Sequence, residues 1–383
     1  MSADDLTSAQ HAAPPLPPLA DLSPASLIVT GERLMARTWQ TGLPSWFWGE
    51  GVCLLGMIRY TQARHLRIPP EVVAWLRRHH SAGISVTHVN NLAPGTAALL
   101  AATDHPDLAL AADQLAQWFR DSSSTTRAAN GALEHWPDGV WADTTFMAGV
   151  FLGHLGEYHR DPDLVAAFGT QLIAHAEILQ HPDTGLFAHG SHRGQTIWSY
   201  WGRGNAWCAL SAVEFVELAA RGNVTVDDEQ LEQITELLTR QLSALAALQP
   251  DHGVWSVLVD EQPENAGIVE PSAAAGIGAA MLRAATVLTN CPPEVVTAGW
   301  RAVAGALGYV DATGTLTQVS AGTVLQLVPF GYSVIRNDRI QPWGQGLALH
   351  AVAAALQAIE LGLDPRCGLS PHRPSVSSHR TTS

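Results

Sequence analysis

Helices of two characters alternate along this chain, and that alternation constrains its fold more than any other feature. Helical periodicity predicts helices near 26–40, 46–65, 69–80, 92–104, 107–121 and 143–159. Others follow near 162–180, 204–219, 227–248, 271–287, 294–307 and 345–360. Those starting near 92, 143, 204, 271 and 345 are rich in small residues and almost uncharged, as in EPSAAAGIGAAML and GQGLALHAVAAAL. Their partners near 107, 162, 227 and 294 carry Asp, Glu, Gln and Arg on one face. A helix that is apolar all round sits inside, and an amphipathic one sits outside. Six such pairs predict an all-α fold, the (α/α)6 barrel of six helical hairpins. The barrel is expected over residues 25–365 as a single domain. The Pro/Ser-rich ends, 1–24 and 366–383, are expected to be disordered.

Composition narrows the partners. A net charge of −14 and a pI near 5.6 exclude nucleic acid, whose phosphates need a basic face. All 21 basic residues are arginine, so Schiff-base chemistry and a Walker-type phosphate loop are excluded as well. An anionic ligand must then be gripped by local arginine. Cys53, Cys208, Cys291 and Cys367 are scattered, with no CxxC pair, and read as buried thiols. No HExxH, paired His/Cys spacing or Asp-rich loop is present, so neither a metal nor a cofactor is expected. The N-terminus lacks a secretory signal, and no apolar run is long enough to span a bilayer. The expectation is a soluble cytoplasmic protein.

Gly, Trp and His gather just before the inner helices: at His88-Val89-Asn90-Asn91, Asp138-Gly139-Val140-Trp141, Trp201-Gly202-Arg203 and Gln341-Pro342-Trp343-Gly344. In a barrel these segments line one mouth. PDGVW (137–141) recurs as PDHGVW (250–255), a weak internal echo that leads into a short β-type stretch, WSVLVD. Asp143, beside Trp141, has two readings. It caps a helix, or it is an acid whose pKa an indole wall raises by desolvation; Trp141 favours the second. Arg203, between two glycines and flanked by Trp201 and Trp207, favours a functional role over a structural cation–π contact. His135 and His189 carry little weight alone in a chain with 17 histidines. Asn90 and Asn91 read as turn residues or sugar contacts, and Glu50 as a helix residue. Whether Glu50 or Glu270 reaches the site is open.

Residues 141–147 (WADTTFM), 181–190 (HPDTGLFAHG) and 200–207 (YWGRGNAW) stand in an order and spacing that resemble the unsaturated glycuronyl hydrolases, glycoside hydrolase families 88 and 105. The resemblance runs from about residue 40 to 360. It implies the (α/α)6 barrel and an enzyme that removes a 4,5-unsaturated uronic acid from short acidic oligosaccharides made by lyases. It further implies Asp143 as acid/base, with His189 and Arg203 on the sugar and its carboxylate. Trp141, Trp201 and Trp207 would be walls, and His135 a further contact. One departure stands out: a second Asp of the family pattern is replaced here by His88-Val89-Asn90-Asn91. An amide cannot exchange protons, although it can hydrogen-bond a sugar hydroxyl.

Two other readings compete. One is a sugar epimerase on the same barrel, moving protons with His135 and His189. The other is a carbohydrate-binding protein that has lost turnover.

Overall fold

The computed structural model describes residues 16–366. Its twelve long helices are α1 (Pro24–Thr41), α2 (Trp48–Gln62), α3 (Pro70–Ala82), α4 (Ala93–Ala102), α5 (Ala109–Asp121) and α6 (142–159). They continue as α7 (Pro162–Leu179), α8 (Gly202–Arg221), α9 (Asp228–Ala247), α10 (Pro271–Val287), α11 (Pro293–Gly308) and α12 (Pro342–Glu360). Proline in the first turn starts α1, α3, α7, α10, α11 and α12, where a missing N–H costs nothing.

Burial divides these helices as their sequences do. α1 buries Leu27, Gly31, Leu34 and Thr38, one stripe at helical spacing. α12 buries every residue from Gly344 to Leu356. The even-numbered helices form a closed inner ring, each packed on the next and α12 packed back on α2. The outer helices lie behind them, and α1 completes the last hairpin by packing on α12. Small residues permit this crowding. A Cβ on Gly56 of α2 would come 2.3 Å from the Gly346 carbonyl oxygen of α12.

Three local features depart from the sequence reading. α6 is not regular: residues Thr145–Val150 form a π-helical turn directly after Asp143. The Thr145 hydroxyl bonds the Ala142 carbonyl at 2.7 Å, competing with the backbone ladder there. Such π turns are frequent at functional sites. Second, WSVLVD makes only isolated bridges, Trp201 with Leu258 and Ser256 with Val269. The described residues instead contain one two-stranded sheet, β1 (Gly190–His192) antiparallel to β2 (Gln195–Ile197). Its turn uses positive φ at both Arg193 and Gly194. Third, residues 16–23, within the expected N-terminal tail, pack on α11: Leu22 is buried and the Ala20 N–H donates to the Ala304 carbonyl at 2.9 Å. Residues 1–15 and 367–383, the rest of both expected tails, lie outside the described residues, as does Cys367. Among the described residues no helix is long and apolar enough to cross a membrane.

Candidate active site

The links that precede the inner helices all meet at one end of the barrel, and two of them are stitched together. The Ala142 N–H donates to the His189 carbonyl at 2.9 Å, and the Ser191 N–H to the Val140 carbonyl at 2.8 Å. This β-like pairing sets Trp141 opposite Gly190. Only glycine fits there, because a Cβ would sit 2.7 Å from Trp141 Cδ1. The stitch brings Asp143 Oδ2 to 3.3 Å from His189 Nε2.

Trp141, not Asp143, is the N-cap residue of α6, so the capping reading of Asp143 falls. The Asp143 side chain is 15% exposed, whereas His189 is fully enclosed. Asp143 Oδ2 and His189 Nε2 face each other off hydrogen-bond alignment, and neither has a hydrogen-bond partner. Burial pushes the Asp143 carboxyl up, but His189, with His135 and Arg203, outweighs it and leaves the carboxyl below its ordinary range. The expectation that an indole wall alone raises this pKa is therefore corrected: the neighbouring side chains, His189 first, decide the sign.

His135 lies face to face with Trp141, ring centroids 4.7 Å apart. Burial pushes its pKa down to about 3, so the ring is neutral at ordinary pH. Its Nδ1 is 2.9 Å from the Thr144 hydroxyl and its Nε2 is 3.3 Å from Asn90 Nδ2. An amide nitrogen only donates, so Nε2 accepts and Nδ1–H donates to Thr144. Both ring nitrogens are thereby engaged, which leaves none for the proton transfer of the epimerase reading.

The predicted sugar contacts divide on inspection. Trp141 and Trp201 do frame His189, at 5.4 and 4.4 Å. Asn90 joins the group through His135. Asn91 does not: its Oδ1 accepts from the Thr87 and His88 N–H groups, and its Nδ2 donates to the Trp46 carbonyl at 2.9 Å. It braces the loop before α4. Trp207 is fully buried and packs on Phe146 and edge-on to Trp48, so it is a core residue and not a wall. Arg203 is also fully buried. Its guanidinium donates to Glu270, the Ser320 hydroxyl and carbonyl, and the Ala321 carbonyl, and it stacks 4.4 Å over Trp201. It anchors the link between α11 and α12 and presents no free face to a carboxylate. Glu270 is equally enclosed, also capping α10 at Ser272. Glu50 accepts from the Ser45 N–H at 3.1 Å and braces the link before α2.

Three participants escaped the sequence reading. Tyr332, on the one-turn helix Phe330–Ser333, places its hydroxyl 2.6 Å from His189 Nδ1. Nothing in its local sequence marks it. Trp48 and Trp343 stack at 4.4 Å and are partly exposed at the mouth. Trp343 stood in a segment assigned to the mouth, but its partner looked like an ordinary helix residue. Among the described residues, no three of His, Cys, Asp or Glu converge as a metal ion requires.

With this geometry in view, comparison with known proteins is informative. The family model described as Glycosyl Hydrolase Family 88 matches residues 32–359. The unsaturated rhamnogalacturonyl hydrolase YesR of Bacillus subtilis (strain 168) is 29% identical over 340 residues, covering 85% of this chain and 94% of that relative. A possible GH105 member from Salmonella enterica superposes with a TM-score of 0.78 at 22% identity, over 88% of this chain and 94% of that one. The unsaturated glucuronyl hydrolase of Bacillus sp. GL1, responsible for glycosaminoglycan degradation, gives 0.62 at 17% identity, over 86% and 96%. These two structures share the helical barrel fold with this chain.

Proposed function

The chain belongs to Glycosyl Hydrolase Family 88 and is a glycoside hydrolase, and from that premise we propose its substrate and mechanism. The enzyme removes a 4,5-unsaturated uronic acid from the non-reducing end of a short lyase product, of the unsaturated galacturonyl-rhamnose type. The likeness to the rhamnogalacturonyl hydrolase over most of both chains supports that sugar. The catalytic unit is the barrel, residues 25–365. A substrate of two or three sugars is small enough to be imported, which suits a cytoplasmic enzyme.

The observation that carries the mechanism is the pairing of Asp143 with His189 in a nearly closed, indole-framed site. Asp143 gives a proton to C4 of the vinyl ether. Water adds its hydroxyl at C5 and returns a proton to Asp143. The hemiketal opens to a C5 ketone, and the C1 hemiacetal so formed expels the aglycone. No second carboxylate acts as nucleophile, unlike an ordinary glycosidase. Asp143 must be protonated before this step, and its neighbours oppose that in the free enzyme. The incoming uronate carboxylate is a like charge and raises the Asp143 pKa on binding. Substrate thus creates the acid that attacks it.

The test follows ultraviolet absorbance of the unsaturated bond with wild type and Asp143→Asn on pectin- and glycosaminoglycan-lyase products. Loss of absorbance by wild type alone, fastest on the galacturonyl-rhamnose product, is expected. A sugar isomerised with no loss of absorbance would revive the epimerase. Ligand binding without turnover in either form would make the chain a binding protein.

A further inference from the structure

The link between α11 and α12, residues 309–341, is the longest in the described chain. Its arms are tied where the Ala321 N–H donates to the Arg336 carbonyl at 2.8 Å. Between them, Val328, Phe330 and Val334 are 58%, 59% and 65% exposed, yet Tyr332 is 1% exposed. The segment leaves its apolar residues in solvent and turns its one phenol inward, onto His189. A residue held that way against the run of its neighbours has something to do there.

The surroundings of the His189 ring favour one direction for its hydrogen bond to Tyr332, because its other nitrogen faces a carboxylate. The Gln326 N–H donates to the Tyr332 oxygen at 3.4 Å. The phenol has one hydrogen left to give, and the atom 2.6 Å away is His189 Nδ1. A neutral imidazole that accepts at Nδ1 carries its hydrogen on Nε2. Nε2 is the atom that faces Asp143 Oδ2.

Building on the function proposed above, we propose that Tyr332 is a positioning residue. Its hydroxyl locks His189 in the Nε2–H tautomer, so that His189 holds the Asp143 carboxylate left when the proton moves to C4. Burial keeps the phenol protonated well past neutrality, as the role requires. The other groups facing Asp143 do not supply this hydrogen. His135 is neutral because burial, with His88, His189 and His175 as like-charge neighbours, disfavours its cation, and it is bonded to Thr144 and Asn90. Arg203 is engaged with Glu270. Without the Tyr332 hydroxyl, the His189 ring is free to adopt the other tautomer and turn a lone pair toward Asp143. Asp143 then faces a lone pair in place of an N–H, and its pKa rises.

Two measurements test this. The first needs no substrate: nitrogen chemical shifts of the His189 ring in histidine-labelled protein, assigned with His189→Gln. The Nε2–H tautomer is expected in wild type and a mixture in Tyr332→Phe. An Nδ1–H tautomer in wild type overturns the proposal, whatever the substrate proves to be and whether or not the variant folds. The second is the pH profile of double-bond loss. Asp143 acts as an acid, so activity falls as pH rises through its pKa. In Tyr332→Phe that alkaline limb moves up by about one pH unit, and kcat drops by roughly ten- to a hundredfold. Phe330→Ala, which alters the same segment at its exposed face, leaves the limb in place. A Tyr332→Phe limb that does not move, with KM raised and thermal stability lowered, would make Tyr332 a brace of the link alone. If the nitrogen shifts are as expected but no lyase product loses its double bond, the substrate reading fails and the tautomer lock stands.

Discussion

The two ends of the barrel both hold buried charge, and they treat it differently. At the far end, Glu214 of α8 accepts from Arg59 of α2, Arg283 of α10 and His154 of α6. Glu217 is held by Arg283, and Glu157 by Arg221 at 2.7 and 2.9 Å. Three carboxylates meet three guanidinium groups, and both oxygens of each carboxylate are engaged. At the far end the atoms without a hydrogen-bond partner are nitrogens, Arg59 Nε and His350 Nε2, whereas at the mouth a carboxylate oxygen, Asp143 Oδ2, lacks one, as do His189 Nε2 and Arg203 Nε. Yet cavities of about 500 and 610 Å³ open at the far end, where Arg59 and Arg221 line both, others of about 750 and 830 Å³ lie elsewhere, and none of these four is lined by Asp143 or His189. Cavity size therefore does not mark the chemistry here. Paired carboxylate oxygens join helices at the far end, whereas at the mouth one carboxylate oxygen is left for a ligand.

The largest effects should separate the two ends cleanly. Asp143→Asn is expected to lower turnover by about a thousandfold or more, with only a modest drop in denaturation midpoint at neutral pH, because its neighbours favour the charge that is removed. Glu214→Gln should do the reverse. It leaves Arg59 and Arg283 buried beside a neutral amide and costs about 3–5 kcal/mol of stability, while KM and the pH profile stay as in wild type wherever the variant is folded. Loss of turnover in folded Glu214→Gln protein would break the distinction.

A second contrast is one of pH. Burial pushes His135 at the mouth and His350 near the far end down to about 3, and His175 on α7 to about 4. In the unfolded chain each titrates near 6.5, so between these values the unfolded state binds more protons. Stability therefore falls as pH drops from about 6.5, at up to about 1.4 kcal/mol per pH unit for each histidine. Glu214 enters later: its folded pKa lies well below 4.5, so its contribution is intact above that pH and is lost below it. Urea midpoints at pH 7, 6 and 5 check the order, and a flat profile over that range would mean that the three rings are hydrated.

The barrel was legible because small, uncharged helices and one-faced helices differ in composition, a property each segment carries by itself. The place of Asp143 at the mouth was legible for the same reason, through its immediate neighbours in WADTTFM. What was not legible depends on residues far apart in the chain. A glycine-flanked arginine among tryptophans reads alike whether it faces a sugar or an internal carboxylate, and the Glu270 that claims Arg203 is 67 residues away. Tyr332 reaches His189 across 143 residues. The Glu214 cluster, drawn from α2, α6, α8 and α10, gave no local sign at all. Trp207 was misread because an indole beside a motif looks the same on either face of its helix.

That last error suggests the finest test, since it sets a core tryptophan against exposed ones. Trp48 and Trp343 form a stacked, partly exposed pair, and the Trp343 ring lies 5.6 Å from the Arg203 guanidinium. If the pair is a platform for the sugars beyond the cleaved bond, Trp48→Ala loses one aromatic contact, worth about 0.5–1.5 kcal/mol. KM should rise roughly three- to tenfold with kcat within about twofold, the pattern of binding shared by ground and transition states. Trp207→Ala removes a buried ring instead, and should cost about 3–5 kcal/mol of stability without that selective change in KM. Should Trp48→Ala lower kcat in proportion, the platform acts on the transition state, and the boundary between wall and acid must be drawn closer to Asp143.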